Sequence, residues 1–266
     1  MLTDITLGQY FPGTSFLHKL DPRMKIMATI IFIVAIFLAN SLASYVIVTA
    51  FTVLCFLISR LPLRLIVKSL KPLWIIIVFT MGIHVFTTPG DVLWQWGILH
   101  ITREGIYQGA LMTARLIYLI VFSSLLTYTT SPIVLTDGIE HLLNPFKRIG
   151  VPAHELAMMM TIALRFIPTL LEETDRIMKA QTARGANFTS GSLLQRGKNM
   201  IPLLVPLFVS AFRRADDLAT AMEARCYRGG EGRTRMNELA YSYRDALGMA
   251  AVLLVTVVLV LMRWFL

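Results

Sequence analysis

Arginine offers a planar fork of donors that can hold a carboxylate by two parallel bonds. Two arginines of this chain stand in matching frames. Ala183-Arg184-Gly185 and Ala224-Arg225-Cys226 lie 41 residues apart, and the same shift superposes Asp175 on Asp216 and Ala180 on Ala221. Each arginine closes an apolar stripe that steps by four and three. The first runs through Leu156, Met160, Ala163, Ile167, Leu170, Thr174, Ile177 and Gln181; the second through Leu204, Phe208, Ala211, Ala215, Leu218 and Met222. This is the spacing of helices that pack on helices. Gly185 suits a left-handed cap for the first helix, and Gly229 and Gly230 stop the second. Two readings stand for the arginines. A cation in a last turn is favoured by the helix dipole by ~0.3–1 kcal/mol with no partner at all. Two arginines at one phase of two similar stripes, beside small residues, also suit bidentate bonds to carboxylates on a partner.

The other reactive side chains do not assemble. Gly191 to Asn199 is one residue too long for a phosphate-binding P-loop and has no Ser or Thr after Lys198. His154-Glu155 is followed by Met158 where a zinc-protease helix needs His. Asp216 and Asp217 are adjacent, so on a helix they diverge. The five histidines lack ligand spacing, and Cys55 and Cys226 form neither a CxxC nor a Cys/His pattern. The chain is therefore expected to be no enzyme, to bind no metal and to hold no cofactor.

The elements that position the arginines are set by composition. Of 266 residues, 56% are hydrophobic and 15% charged, against about 25% charged in soluble domains. Mean hydropathy is +0.66, which points to an integral membrane protein. Asp4 and Asp21, and the lack of an apolar run before Ile26, argue against a cleaved signal peptide. Residues 26–59 carry no charge; one helix of that length would be ~51 Å long, too long for a ~30 Å hydrocarbon core. The break Asn40 to Ser44 splits it into two spans. Further spans are expected at Pro72 to about Thr88, Gly105 to Thr130, and Ala246 to Met262. Of the 41 charged residues, 27 fall in 132–245.

The expected organisation is a membrane domain of four spans over 1–131, a polar module over 132–245, and a last span over 246–266. Pro168 falls inside the first long helix, and Pro202 and Pro206 are expected near the start of the second, after a loop from Gly185 to Gly197. Lys19, Arg23 and Lys25, with Arg60, Arg64, Lys68 and Lys71, place the N-terminus and the polar module in the cytoplasm, since the net charge of +9 gathers on that side. Trp94 and Trp96 suit an interfacial belt opposite. Structural roles are expected for Asp21 as a helix cap with Pro22 at the first position and Arg23 beside them. Arg115 needs a partner inside the bundle, and Arg165, one heptad before Glu172, is expected to brace its helix.

The ordered set of motifs resembles the transmembrane (T) component of energy-coupling factor importers. It comprises Ser15-Phe16-Leu17-His18-Lys19-Leu20-Asp21-Pro22-Arg23, then Ala163-Leu164-Arg165-Phe166-Ile167-Pro168, Ala180-Gln181-Thr182-Ala183-Arg184-Gly185, Pro206-Leu207-Phe208, and Ala221-Met222-Glu223-Ala224-Arg225-Cys226-Tyr227. Cys226 departs from the small residue usual there. The resemblance implies an all-α membrane protein with about five spans and a cytoplasmic-side coupling domain of long crossed amphipathic helices. It implies a non-catalytic energy transducer whose partners are two ABC-type ATPases, which bind ATP and Mg, and one small membrane S component that binds a vitamin or metal ion. It implies that Arg184, with Ala183 and Gly185, docks one ATPase, and Arg225, with Ala224 and Cys226, the other. The S component is then expected against Met158, Met159, Met160, Leu204 and Phe208. Methionine adapts to shifting contacts. The competing function is a conventional permease that binds substrate itself; it should place polar side chains in several spans, where Arg115 and a few Ser and Thr stand.

Overall fold

The computed structural model describes residues 10–96, 99–186, 188, 192–229 and 239–265. Asp4, Gly191 and Gly230 lie outside these residues, as does the side chain of Trp96. In chain order the elements are α1 (Pro22–Leu38), α2 (Leu42–Ser59), α3 (Leu63–Leu70), α4 (Trp74–Thr87), β1 (Val92–Trp96), β2 (Leu99–Thr102), α5 (Arg103–Thr129), α6 (Pro132–Leu143), α7 (Ala153–Ala183), α8 (Leu193–Ala224) and α9 (Tyr243–Phe265). Among the described residues, five helical stretches are long and apolar enough to cross a membrane: Leu42–Ser59, Leu63–Thr87, Arg103–Thr129, Ala153–Ala183 and Tyr243–Phe265.

That set differs from the expected one in two members. Helix α1 has 17 residues, ~25 Å of helix, about a turn less than a full span. Helix α7 joins the set although its second half carries Glu172, Glu173, Asp175, Arg176 and Lys179, because its first half from Ala153 is apolar enough. The 87–104 segment is also more regular than a loop. It holds an antiparallel hairpin in which Val92 faces Thr102 and Gln95 faces His100. Trp94 stands 62% exposed on it.

Backbone contacts divide the chain into two units, with breaks at Gly138/Ile139 and Asn237/Glu238. In the membrane unit, α1 packs along α9 and α4 along α5. Its core is an aromatic cluster in which the Phe32 ring lies 5.1 Å from Phe51 and 4.1 Å from Phe122. Leu259 and Val48 close it. At Gly105, a Cβ would lie 2.9 Å from the carbonyl oxygens of His84 and Val85, so only glycine lets α5 approach α4 there.

Polar anchors fix the helix starts. Asp21 caps α1 by accepting from the Arg23 amide at 2.9 Å, and Pro22 takes the first helical position. Asp245, in the first turn of α9, accepts from the Asp21 amide at 2.6 Å and the Ser242 amide at 2.7 Å. One buried carboxylate thus ties the starts of α1 and α9 together. Arg23 grips Asp21 through Nε and Nη2 and donates to the Leu239 carbonyl at 2.8 Å; its guanidinium is held above the ordinary value by the bonds to Asp21. Lys25, just before the charge-free run, donates to the carbonyls of His18 and Thr129 and to the Thr130 hydroxyl. Burial pushes its ammonium down to about 8, against the opposing pull of Asp245 and Asp21.

Arg115 finds its partners within the bundle. It donates to the Ala39 carbonyl at 2.9 Å and the Tyr45 hydroxyl at 3.2 Å, and its guanidinium stands over Phe37. An intramembrane cation met by a carbonyl, a phenol and a ring is a structural device.

Helix α8 begins nine residues before Pro202, correcting the expected start. Ser192 is its cap, accepting from the Gln195 amide, and Leu193 to Ile201 are mostly good helix formers. Both prolines therefore fall inside the helix. Pro206 has no N–H for the Pro202 carbonyl four residues back. Gln181 of α7 donates to that freed oxygen instead, through a long 3.5 Å bond.

Candidate functional site

The two helix ends are built alike, bond for bond. Arg184 is the C-cap of α7 at φ −86°, ψ 7°, and Arg225 the C-cap of α8 at φ −92°, ψ 16°. Gly185 follows at φ +90° and Cys226 at φ +57°. Beyond the first cap, the Gly185 amide donates to the Thr182 carbonyl and the Ala186 amide to Gln181. Beyond the second, the Cys226 amide donates to Glu223 and the Tyr227 amide to Met222. These are the paired bonds of a Schellman cap, and every partner is shifted by 41 residues. The second helix therefore stops at Cys226, before the glycines expected to end it.

Both arginines are exposed, as are Ala183, Gly185, Ala224 and Cys226. Neither guanidinium makes a hydrogen bond or ion pair among the described residues. Two uncommitted forks, each on a rigid cap beside small residues, can accept carboxylates from outside.

The 41-residue shift also operates where the helices meet. Arg214 of α8 donates to Glu173 of α7 at 3.2 Å, and 214 is the shifted image of 173. Contact between equivalent positions is what a twofold relation produces. The Gln181 to Pro202 bond gives the sense, because moving forward on α7 means moving back on α8. The helices run antiparallel across this point, and Arg184 and Arg225 lie on opposite sides of it. Each is 11 residues beyond the meeting pair, ~16 Å along its helix.

Arg165 does not brace α7. It is exposed and unpaired among the described residues. Glu172, seven residues on, is two turns away and too far for an ion pair, which needs three or four residues. Within α7 the bracing pair is Asp175 and Lys179, 2.6 Å apart; between α7 and α8 it is Glu173 and Arg214, visible in the sequence only through the repeat. Pro168 lies inside α7, exposed.

The packed face of α8 is rotated by one residue in its first half. Leu203 is buried and Leu207 half-buried, whereas Leu204 is 40% and Phe208 61% exposed. From Met200 to Val209 α8 is apolar all round, so periodicity alone does not choose its inner face. Leu204 and Phe208 instead join Ile201, Val205, Val209 and Phe212 in one exposed stripe. On α7, Met159 and Met160 are exposed and Met158 half-buried. Ile201, Val205 and Phe212 were legible as neighbours three or four residues from the first two, and Val209 as the neighbour four residues from Val205.

Comparison with known proteins follows this geometry. A family model described as cobalt transport protein matches residues 13–236. The chain is 64% identical to the energy-coupling factor transporter transmembrane protein of Acidaminococcus fermentans over 264 residues, covering 99% of this chain and 98% of the relative. It is 57% identical to that of Brevibacillus brevis, covering 99% of each. It is 46% identical to that of Bacillus subtilis, covering 99% of this chain and 100% of the relative.

Proposed function

This chain belongs to the cobalt transport protein family and is the energy-coupling transmembrane component of an energy-coupling factor transporter, and from that premise we propose how it couples. Arg184 docks one cytoplasmic ATPase and Arg225 a second, and the exposed apolar faces of α7 and α8 hold a small membrane S component that carries the substrate. ATP and Mg are bound and used by the ATPases, not by this chain. The N-terminus and the coupling unit face the cytoplasm, in line with the Lys and Arg bias of the loops.

The observation that carries this reading is the repeated cap. Two similar helix ends, on opposite sides of a crossing at Glu173 and Arg214, suit two similar partners related by a twofold axis. When the ATPases close on ATP, they draw the two ends together. The helices pass that movement to the apolar stripe of Ile201, Leu204, Val205, Phe208, Val209 and Phe212, and the S component reorients.

An uptake assay with reconstituted transporter tests this. Arg184→Ala with Arg225→Ala is expected to abolish both subunit assembly and uptake. Each interface arginine contributes ~2 kcal/mol, or ~30-fold. Unchanged assembly and uptake in the double variant would sink the proposal.

A further inference from the structure

Two hollows meet at the end of α2. One, of 490 Å³, is part polar and part apolar, walled by Thr14, Ser15 and Arg60 and by Phe16, Leu57 and Ile58. The other, 170 Å³, lies among α1, α2, α5 and α9 and is lined mainly by apolar side chains such as Ala28, Leu54, Cys55, Phe122 and Val252. Phe16 and Ile58 belong to both walls, so the hollow at Arg60 opens beside the apolar one. An apolar cavity of ~150 Å³ is large enough to take benzene, and this one is of that size.

Polar groups in the apolar hollow have nothing to offer a ligand. Lys25 spends its three protons on His18, Thr129 and Thr130. Asp245 accepts from the amides of Asp21 and Ser242. What fits is hydrocarbon. Leu54, Ile58 and Leu247, which line it, are 51%, 40% and 58% exposed, so the hollow reaches the outer surface of the helices, where acyl chains lie.

Arg60 is the opposite case. It caps α2 at φ +55°, its amide donating to the Leu57 carbonyl; it is exposed, and its guanidinium makes no hydrogen bond or ion pair among the described residues. The charge-free run 26–59 ends beside it, which puts it at the edge of the hydrocarbon. It stands six residues, ~9 Å of helix, beyond Leu54. An unneutralised cation with hydroxyls nearby, next to an apolar slot, fits one chemical class: a phosphate on a long acyl chain.

We propose that the two hollows form one glycerophospholipid site, with the phosphate on Arg60 beside Thr14 and Ser15 and one acyl chain in the apolar hollow. The probe is phosphatidylglycerol, added to the purified full chain and followed by native mass spectrometry. One lipid per chain is expected to survive detergent removal. Arg60→Gln removes the phosphate partner, and Gly248→Leu fills the apolar hollow, where an added Cβ meets only Leu20 at 3.5 Å. Each is expected to lower retention about tenfold, the effect of ~1.4 kcal/mol. Arg60→Lys, which keeps the charge, and Arg263→Gln, a cation elsewhere, retain the lipid, and unchanged melting shows that each variant is folded. Equal retention in wild type, Arg60→Gln and Gly248→Leu would mean loosely surrounding lipid only and overturn the site. Equal retention of dodecyl maltoside, insensitive to Arg60→Gln, would reduce it to a hydrocarbon slot without headgroup recognition. Lipid displaced whenever the partner subunits assemble would assign the hollows to a protein and also overturn it.

Discussion

Each of the two capping arginines is set in place by the residue after it. A left-handed residue must follow the cap so that the next two amides can turn back onto the helix. Gly185 takes that conformation freely, whereas Cys226 at φ +57° does so at a cost of ~1 kcal/mol. Cys226→Gly is therefore expected to stabilise the chain by ~1 kcal/mol, and Gly185→Ala to destabilise it by about as much. Thermal melting in detergent checks both, and equal effects of the two would contradict the assignment. Lys25 gives a pH signature. Its folded value of about 8 lies below the unfolded 10.5, so the unfolded chain binds more protons between these values. Stability is expected to rise as pH increases from about 8 to about 10.5, and Lys25→Met to remove that rise. A wild-type melting temperature flat across the window would contradict burial of the ammonium.

Between helices α7 and α8, the ion pair of Glu173 and Arg214 joins two positions that are images of each other. Glu173 and Arg214 keep 27% and 36% of their side-chain surface, so solvent screens the pair and its coupling is ~0.2–1 kcal/mol. A double-mutant cycle with Glu173→Ala and Arg214→Ala should return a value in that range, and the charge swap Glu173→Arg with Arg214→Glu should restore most of the loss. Closer packing governs α4 and α5, where Gly105→Ala pushes a methyl to 2.9 Å from two carbonyls; a loss of ~1–3 kcal/mol is expected on melting. Much of this was legible in the sequence. The stripes ending at Gln181 and Met222 gave the phase of both arginines, and residues 26–59 gave two helices. The start of α8 was hidden because Pro202 and Pro206 read as a boundary, while the carbonyl that Pro206 leaves free is met by structure distant in sequence, at Gln181. The inner face of α8 was hidden because Met200 to Val209 is apolar on every side. Asp245 counted as part of the polar module, since nothing local reveals that it binds the amide of Asp21, 224 residues away.

The whole molecule divides its labour. The membrane unit satisfies its buried charges internally, through Asp21, Arg23, Lys25, Arg115 and Asp245, which leaves it a stable frame. The coupling unit keeps its two capping arginines uncommitted and an apolar stripe exposed, which leaves it open to partners. Under the proposed coupling, the arginines act singly, one for each ATPase. Native mass spectrometry of the intact transporter measures this most directly. The account predicts two ATPases per chain in the wild type, one with Arg184→Ala, one with Arg225→Ala, and none with both. Two ATPases retained on the double variant would contradict it.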